Sequence, residues 1–156
     1  MKRVLFLCTG NYYRSRFAEE LFNHRARDMR LSWSADSRAL AIERGIGNVG
    51  PMSTHAVAGL TKLGVDPAGR GRAPRPCLVE DLSAAHLIVA LEQAEHRPLL
   101  LERFADWEAW VRYWHVRDVE FEAPGKALAG LASRVDELVA ELMSTDAIAP
   151  PVGRNP

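Results

Sequence analysis

Val4-Leu5-Phe6-Leu7-Cys8-Thr9-Gly10-Asn11-Tyr12-Tyr13-Arg14-Ser15 joins an apolar run to a segment of helical periodicity. Val4 to Leu7 has the habit of a strand buried on both faces. Phe17, Ala18, Leu21 and Phe22 recur at helical spacing, so Ser15 to about Asp28 reads as a helix. A cysteine therefore ends a strand, and an arginine and a serine begin a helix. The residues between them form a loop laid out to wrap an oxyanion. A turn that feeds a helix N-terminus points several backbone N–H groups inward, and the helix dipole adds positive potential. Successive N–H groups in such a concavity make an anion nest. Cys8, on the floor of this nest and near Arg14, is favoured as thiolate, the nucleophilic form. Arg14 offers a planar fork matched to phosphate oxygens. Ser15 is placed to hydrogen-bond the sulfur. Gly10 is expected to supply the unusual backbone angles of a tight loop. Asn11 tolerates the left-handed conformation and can brace the loop through its side-chain amide.

Further along, strands and helices alternate. Leu31 to Ser37 alternates and reads as a strand. Residues 38 to 53 hold Gly45, Gly47, Gly50 and Pro51 and read as a long loop. Thr54 to Leu63 is a short helix that Gly64 ends. Residues 66 to 76 form a loop, and Leu78 to Ala84 a short helix. Leu87 to Leu91 is a strand, Glu92 to Phe104 a helix and Val111 to Val116 the last strand. Lys126 to Met143 is the final helix, with Leu128, Leu131, Val135, Leu138, Val139 and Leu142 on one face. This alternation predicts an α/β domain with a parallel sheet and right-handed crossovers. Ligands on such sheets bind beyond the carboxyl ends of the strands. Cys8 and Asp118 each follow a strand at that edge.

The 156 residues suit one domain with a substantial core. Lys plus Arg number 20 and Asp plus Glu number 20, so no global field favours nucleic acid or membrane, and anion recognition must be local. The two cysteines, Cys8 and Cys77, are not a disulfide framework. A thiol placed for chemistry suits a reducing compartment, so a cytoplasmic location is expected. Met1-Lys2-Arg3 before Val4 to Leu7 imitates a signal peptide, but the apolar run is far too short. No segment is long enough to span a bilayer.

Cysteine, arginine six positions on, then serine, directly after the first strand: this pattern resembles the low-molecular-weight protein tyrosine phosphatases. Ser34-Ala35-Asp36-Ser37 resembles that family's second strand end. Pro51-Met52-Ser53-Thr54-His55 with Lys62-Leu63-Gly64-Val65, and Glu80-Asp81-Leu82 before Ala85 to Ala90, resemble its following segments. Asp118 falls where the family keeps its general acid. The likeness covers roughly residues 2 to 143. It implies a three-layer domain over residues 1–146, with a four-stranded parallel sheet in order 2-1-3-4 and helices on both faces. A Pro-rich tail, 147–156, would follow. It also implies a phosphotyrosine phosphatase in which Cys8 attacks phosphorus and Asp118 protonates the leaving group. Thr9, Gly10, Asn11, Tyr12, Tyr13, Arg14 and Ser15 would hold the phosphate. The partners are then a phosphorylated protein or small phosphomonoester, and phosphate or other oxyanions. No metal or organic cofactor is implied. The chain departs from the family at Arg16, where many members have proline, at Val119, where the acid is usually followed by proline, and at Tyr13, where many members have a second cysteine.

Tyr12, Leu40 and Phe121, with Tyr13, are candidates to wall a pocket for an aromatic ring; ordinary packing is the competing reading. Arg117 sits awkwardly beside Asp118, because a paired carboxylate stays ionised. Glu120 and Glu122 are nearby substitutes. Cys8 with His55, His86 or His115 would resemble a cysteine hydrolase, but nothing in the sequence orders such a triad. His115 to Asp118 is too sparse for a metal site. Arg70, Arg72 and Arg75 read as a solvated loop, with contact to an acidic partner as the competing reading. Two alternatives to a working phosphatase are a phosphate-binding regulatory module without turnover and an arsenate reductase on the same scaffold. The reductase needs further cysteines.

Overall fold

Side chains of β1 (Lys2–Cys8) divide between two cores, as a strand's period of two requires. Val4 and Phe6 enter one, with Phe17, Leu21 and Phe22 of α1 (Arg14–Asp28) and Leu131, Val135 and Leu138 of α5 (Pro124–Ile148). Leu5 and Leu7 enter the other, with Leu82 of α3 (Val79–Ala84) and Leu99 and Leu100 of α4 (Gln93–Arg103). The computed structural model describes residues 1–118 and 122–148. Within them the remaining elements are β2 (Trp33–Ala39), α2 (Thr54–Lys62), β3 (Leu87–Ala90) and β4 (Val111–Tyr113). Short 3-10 turns cover Ile42–Gly45 and Ala105–Trp110.

The sheet has the order β2-β1-β3-β4, and every neighbouring pair is parallel. Helices cover both faces, so the expected layers and strand order are present. Cys8 ends β1 opposite Ala39 of β2, at the carboxyl edge. The outward-turned backbone of β2 is bonded at three alternate residues. Asn23 of α1 gives its amide hydrogen to the Ala35 carbonyl and accepts from the Ala35 N–H. The Ser37 N–H donates to Asp36, and Arg38 donates to the Ser37 carbonyl. Ala39 exchanges bonds with the passing segment, its N–H to the Arg75 carbonyl and its carbonyl from the Cys77 N–H.

Element boundaries shift where local closure intervenes. β2 starts at Trp33 rather than Leu31. Arg30 takes a left-handed φ of 53°, and the Leu31 N–H turns back to the Ala26 carbonyl, closing α1. β2 runs to Ala39 because Cys8 and Pro76 flank that residue on both sides. β4 ends at Tyr113, not Val116, although Trp114 and Val116 still donate to the carbonyls of Ala90 and Leu91. An antiparallel bridge between Glu92 and His115 interrupts the parallel ladder there.

Candidate active site

The cysteine loop is held from outside. The Leu40, Ala41 and Ser53 N–H groups donate to the carbonyls of Cys8, Thr9 and Tyr12. In a trans peptide the next N–H points opposite to the carbonyl. The N–H groups of Thr9, Gly10 and Tyr13 therefore face away from those outer partners. Tyr13 is the N-cap of α1 and makes no side-chain capping bond, which leaves the first amides of the helix to a ligand. Asn11, not Gly10, takes the left-handed turn, with φ 52°. The Gly10 expectation is thus corrected: a Cβ there would meet only ordinary contacts.

Asn11 is buried and uses its amide fully. Its Nδ2 donates to Ser15 Oγ at 2.9 Å and to Ser37 Oγ at 2.8 Å. Its Oδ1 accepts from the Arg75 N–H at 3.1 Å and from Arg72 Nη1 at 3.3 Å. Arg72 also pairs with Glu19 at 2.8 Å. Arg72 is therefore a brace against the loop rather than a solvated charge, which corrects that part of the sequence reading. Its long side chain reaches inward because the 66–76 loop lies along α1. Arg70 and Asp66 form an exposed ion pair. Ser15 Oγ lies 2.9 Å from Cys8 Sγ. With Asn11 donating to its oxygen, Ser15 retains a hydroxyl hydrogen for the sulfur.

Arg14 is 2% exposed and reaches three partners. Its Nη1 donates to the Val116 carbonyl at 3.0 Å and lies 2.6 Å from Glu95 Oε2; its Nη2 lies 3.5 Å from Asp118 Oδ2. Burial works against its charge, but Cys8, Glu95 and Asp118 together outweigh that and raise its pKa. Burial likewise works to raise the Glu95 carboxyl, yet His96 and Arg14 hold it well below the usual carboxylate range. His96 is fully buried, and burial lowers its pKa. Its Nδ1 accepts from the Glu92 N–H at 2.9 Å, so the neutral ring carries its proton on Nε2. That nitrogen is 3.2 Å from the same Glu95 oxygen, close but off the line of a hydrogen bond.

Arg16 is also buried. Nη1 donates to the Pro51 carbonyl at 2.9 Å and Nη2 to the Gly69 carbonyl at 2.8 Å; among the described residues Nε has no partner. The Gly69 N–H in turn donates to Glu20 at 2.9 Å, and a Cβ on Gly69 would stand too close to that carboxylate. A side chain at this point would push the Glu20 carboxylate off the Gly69 N–H.

Cys8, Arg14 and Asp118 line one cavity of about 370 Å3, together with Thr9, Gly10, Tyr12, Tyr13, Arg44, Asn48, Ser53 and His55. A wider surface hollow around Gln93, Pro98 and Leu101 is lined by His115 but by none of Cys8, Arg14 and Asp118. Tyr12 and Tyr13 supply aromatic walls, and Tyr12 donates to the Val49 carbonyl. Burial and the nearby Asp118 push the Tyr13 phenol up to about 12. Leu40 is not a wall: it is 3% exposed and packs with Leu5, Leu7 and Leu82 in the core on the α3–α4 side. Phe121, Val119 and Glu120 lie outside the described residues. Glu122 pairs with Lys126. His86 accepts from the Arg3 N–H and His115 faces Glu92, so neither histidine serves Cys8. Among the described residues no three His, Cys, Asp or Glu side chains converge as a metal site, and no helix is long and apolar enough to cross a membrane.

The sequence reading missed Glu95, Glu19, Ser37 and the cavity residues Arg44 and Asn48. Glu95 left one usable signal. It lies in the first turn of a helix that opens at the carboxyl edge of β3, where ligands on such sheets bind.

The model of the family described as low molecular weight phosphotyrosine protein phosphatase matches residues 3–145. The chain belongs to that family. It is a cysteine-dependent phosphatase. The phosphatase is similar in structure to a low molecular weight protein tyrosine phosphatase from T. tengcongensis. The two are 25% identical, covering 90% of this chain and 99% of that one, with a TM-score of 0.76. It is also similar in fold to the arginine phosphatase YwlE from Geobacillus stearothermophilus, at 20% identity, 98% and 100% coverage and a TM-score of 0.76. A third similar fold is Vibrio vulnificus Wzb in complex with benzylphosphonate, at 16% identity, 92% and 98% coverage and a TM-score of 0.72. No curated protein sequence matches this phosphatase.

Proposed function

We propose that this phosphatase removes phosphate from tyrosine side chains of proteins, with Cys8 as nucleophile, Arg14 as phosphate ligand and Asp118 as general acid. The observation that carries the reading is the contact of Cys8 Sγ with Ser15 Oγ at 2.9 Å, inside a cavity that Arg14 and Asp118 also line. Cys8 attacks phosphorus as thiolate, forming the S–P bond while the ester P–O bond breaks. Asp118 gives its proton to the departing phenolate oxygen. Water then attacks phosphorus, Asp118 takes a proton from it, the S–P bond breaks and inorganic phosphate forms. Arg14 and the loop amides hold the non-bridging oxygens, gaining strength as the transition state develops. Ser15 stabilises the sulfur as it leaves. The aromatic walls of Tyr12 and Tyr13 favour a phenyl ester over an aliphatic one. A reducing, cytoplasmic compartment keeps Cys8 as a thiol.

The test is turnover of para-nitrophenyl phosphate in the presence of a chelator, beside a phosphotyrosine peptide and a phosphoarginine peptide. We expect the aryl phosphates to be hydrolysed and phosphotyrosine to be preferred. Cys8→Ser should lose turnover and keep phosphate binding. Preference for phosphoarginine would overturn the substrate, and turnover by Cys8→Ser would overturn the covalent mechanism.

A further inference from the structure

Arg14 is the cation on which phosphate recognition turns, yet it is not kept for the phosphate alone. The Nη1 end is occupied by the Val116 carbonyl at 3.0 Å and by Glu95 Oε2 at 2.6 Å, while Asp118 stands further off at 3.5 Å from Nη2. Glu95 is therefore the tighter of the two carboxylate partners. It is also fixed in place. It sits in the first turn of α4, where the helix dipole favours an anion. The proton-bearing Nε2 of His96 stands 3.2 Å away, and that ring is locked by the Glu92 N–H at its other nitrogen. With Cys8 as thiolate, one guanidinium faces that sulfur and the Glu95 carboxylate before any ligand arrives. A phosphate dianion entering the loop meets a cation already largely compensated.

We propose that Glu95 is a built-in competitor for phosphate: an internal carboxylate that compensates Arg14 and sets how weakly the loop holds inorganic phosphate, the product. The inference rests on the placement of Arg14 in the phosphate site proposed above. Glu95 acts through Arg14 and is a positioning residue. Its carboxylate keeps the guanidinium oriented and charged, and its negative charge opposes any second anion on the same group. Weak retention of product follows, so phosphate leaves readily between turnovers.

The experiment measures phosphate affinity directly by titration calorimetry, without turnover, in the wild type, in Glu95→Gln and in Glu95→Asp. Glutamine keeps an acceptor for Arg14 and removes the charge. Glu95 and a bound phosphate would share one guanidinium and repel each other, and the part-exposure of Glu95 screens that repulsion without removing it, so Glu95→Gln should bind phosphate at least about fivefold more tightly. Glu95→Asp keeps the charge and should bind phosphate within about twofold of the wild type. In steady-state hydrolysis of para-nitrophenyl phosphate, Glu95→Gln should lower KM and raise product inhibition without raising kcat, the pattern of uniformly tighter anion binding. Unchanged or weaker phosphate binding in Glu95→Gln would overturn the proposal and leave Glu95 a brace for Arg14 only. A chain that binds phosphate with the expected differences but hydrolyses no aryl phosphate would sink the proposed activity and leave this inference standing.

Discussion

Asn11 shows how much a single side chain does in this loop. It takes a left-handed backbone and makes four hydrogen bonds, to Ser15, Ser37, Arg72 and the Arg75 N–H. Alanine would leave several buried partners unsatisfied and would strain at a positive φ. Asn11→Ala should cost about 2–4 kcal/mol of stability, combining lost buried hydrogen bonds with backbone strain. It should also lower kcat more than it raises KM, because Ser15 loses the donor that frees its hydrogen for the sulfur. Urea denaturation beside steady-state kinetics checks this; a loss of stability with kcat intact would confine Asn11 to scaffolding. At this scale the sequence was legible where chemistry is local. Cysteine, asparagine, arginine and serine at fixed spacing within one loop announce their own geometry. Gly10 misled because a glycine licenses unusual angles without requiring them, and here its neighbour adopts them. Arg72 and Glu95 were hidden because each reaches the loop from a separate element, and no local pattern records that approach.

At the scale of elements, α1 does more than end the anion loop. Arg16 grips the Pro51 and Gly69 carbonyls, and Glu20 takes the Gly69 N–H. One helix face thus ties down both the segment that leads to Ser53 and the loop that carries Arg72. Replacing Arg16 by methionine keeps the bulk and removes a buried charge, which is often tolerated. It also strips two carbonyls of their donors, at about 1–3 kcal/mol each if water cannot replace them. Arg16→Met should therefore be modestly destabilised in urea, and hydrogen exchange should rise in residues 52–57 and 69–72 before it rises in β1. Equal protection in the wild type and in Arg16→Met would show that the loops stand without this tie. Boundaries were the least legible feature at this scale. Leu31 and Ser32 alternate like a strand, but the backbone closure of α1 at Arg30 and Leu31 claims them first. Continuation of β4 as far as Val116 was equally reasonable from pattern alone, since Trp114 and Val116 are buried; the Glu92–His115 bridge, a tertiary contact, stops it.

For the whole molecule, strand order sets the redox behaviour. Cys8 ends β1, Ala39 lies beside it on β2, and Pro76 lies beside Ala39 on the far side. Neighbouring strands stand about 4.8 Å apart, so a residue next to Pro76 is about 10 Å from Cys8, beyond the roughly 7 Å that a disulfide tolerates. Burial and the nearby Asp81 also push the Cys77 thiol up to about 12, which leaves it inert. Peroxide should therefore inactivate this phosphatase by adding oxygen at Cys8, with little recovery by dithiothreitol after long exposure. Peptide mapping that found a Cys8–Cys77 bridge, with activity restored on reduction, would contradict the topology. The alternation of strands and helices made the sheet legible in the sequence, and with it this separation. That Cys77 passes alongside β2 rather than elsewhere came only from the structure.

The outward bonds of β2 have a different consequence, for how copies of this protein meet one another. An open strand edge is a template on which another chain can add a strand, and parallel sheets that expose one risk growing into aggregates. Here Asn23 acts as a dummy neighbour for Ala35, Asp36 and Arg38 fold back on Ser37, and the 75–77 segment closes over Ala39. The opposite edge, β4, is only three residues long. Neither edge offers an incoming strand a continuous run of donors and acceptors. The sheet can thus hold Cys8, the proposed nucleophile, at one end while its sides give nothing for a second molecule to extend.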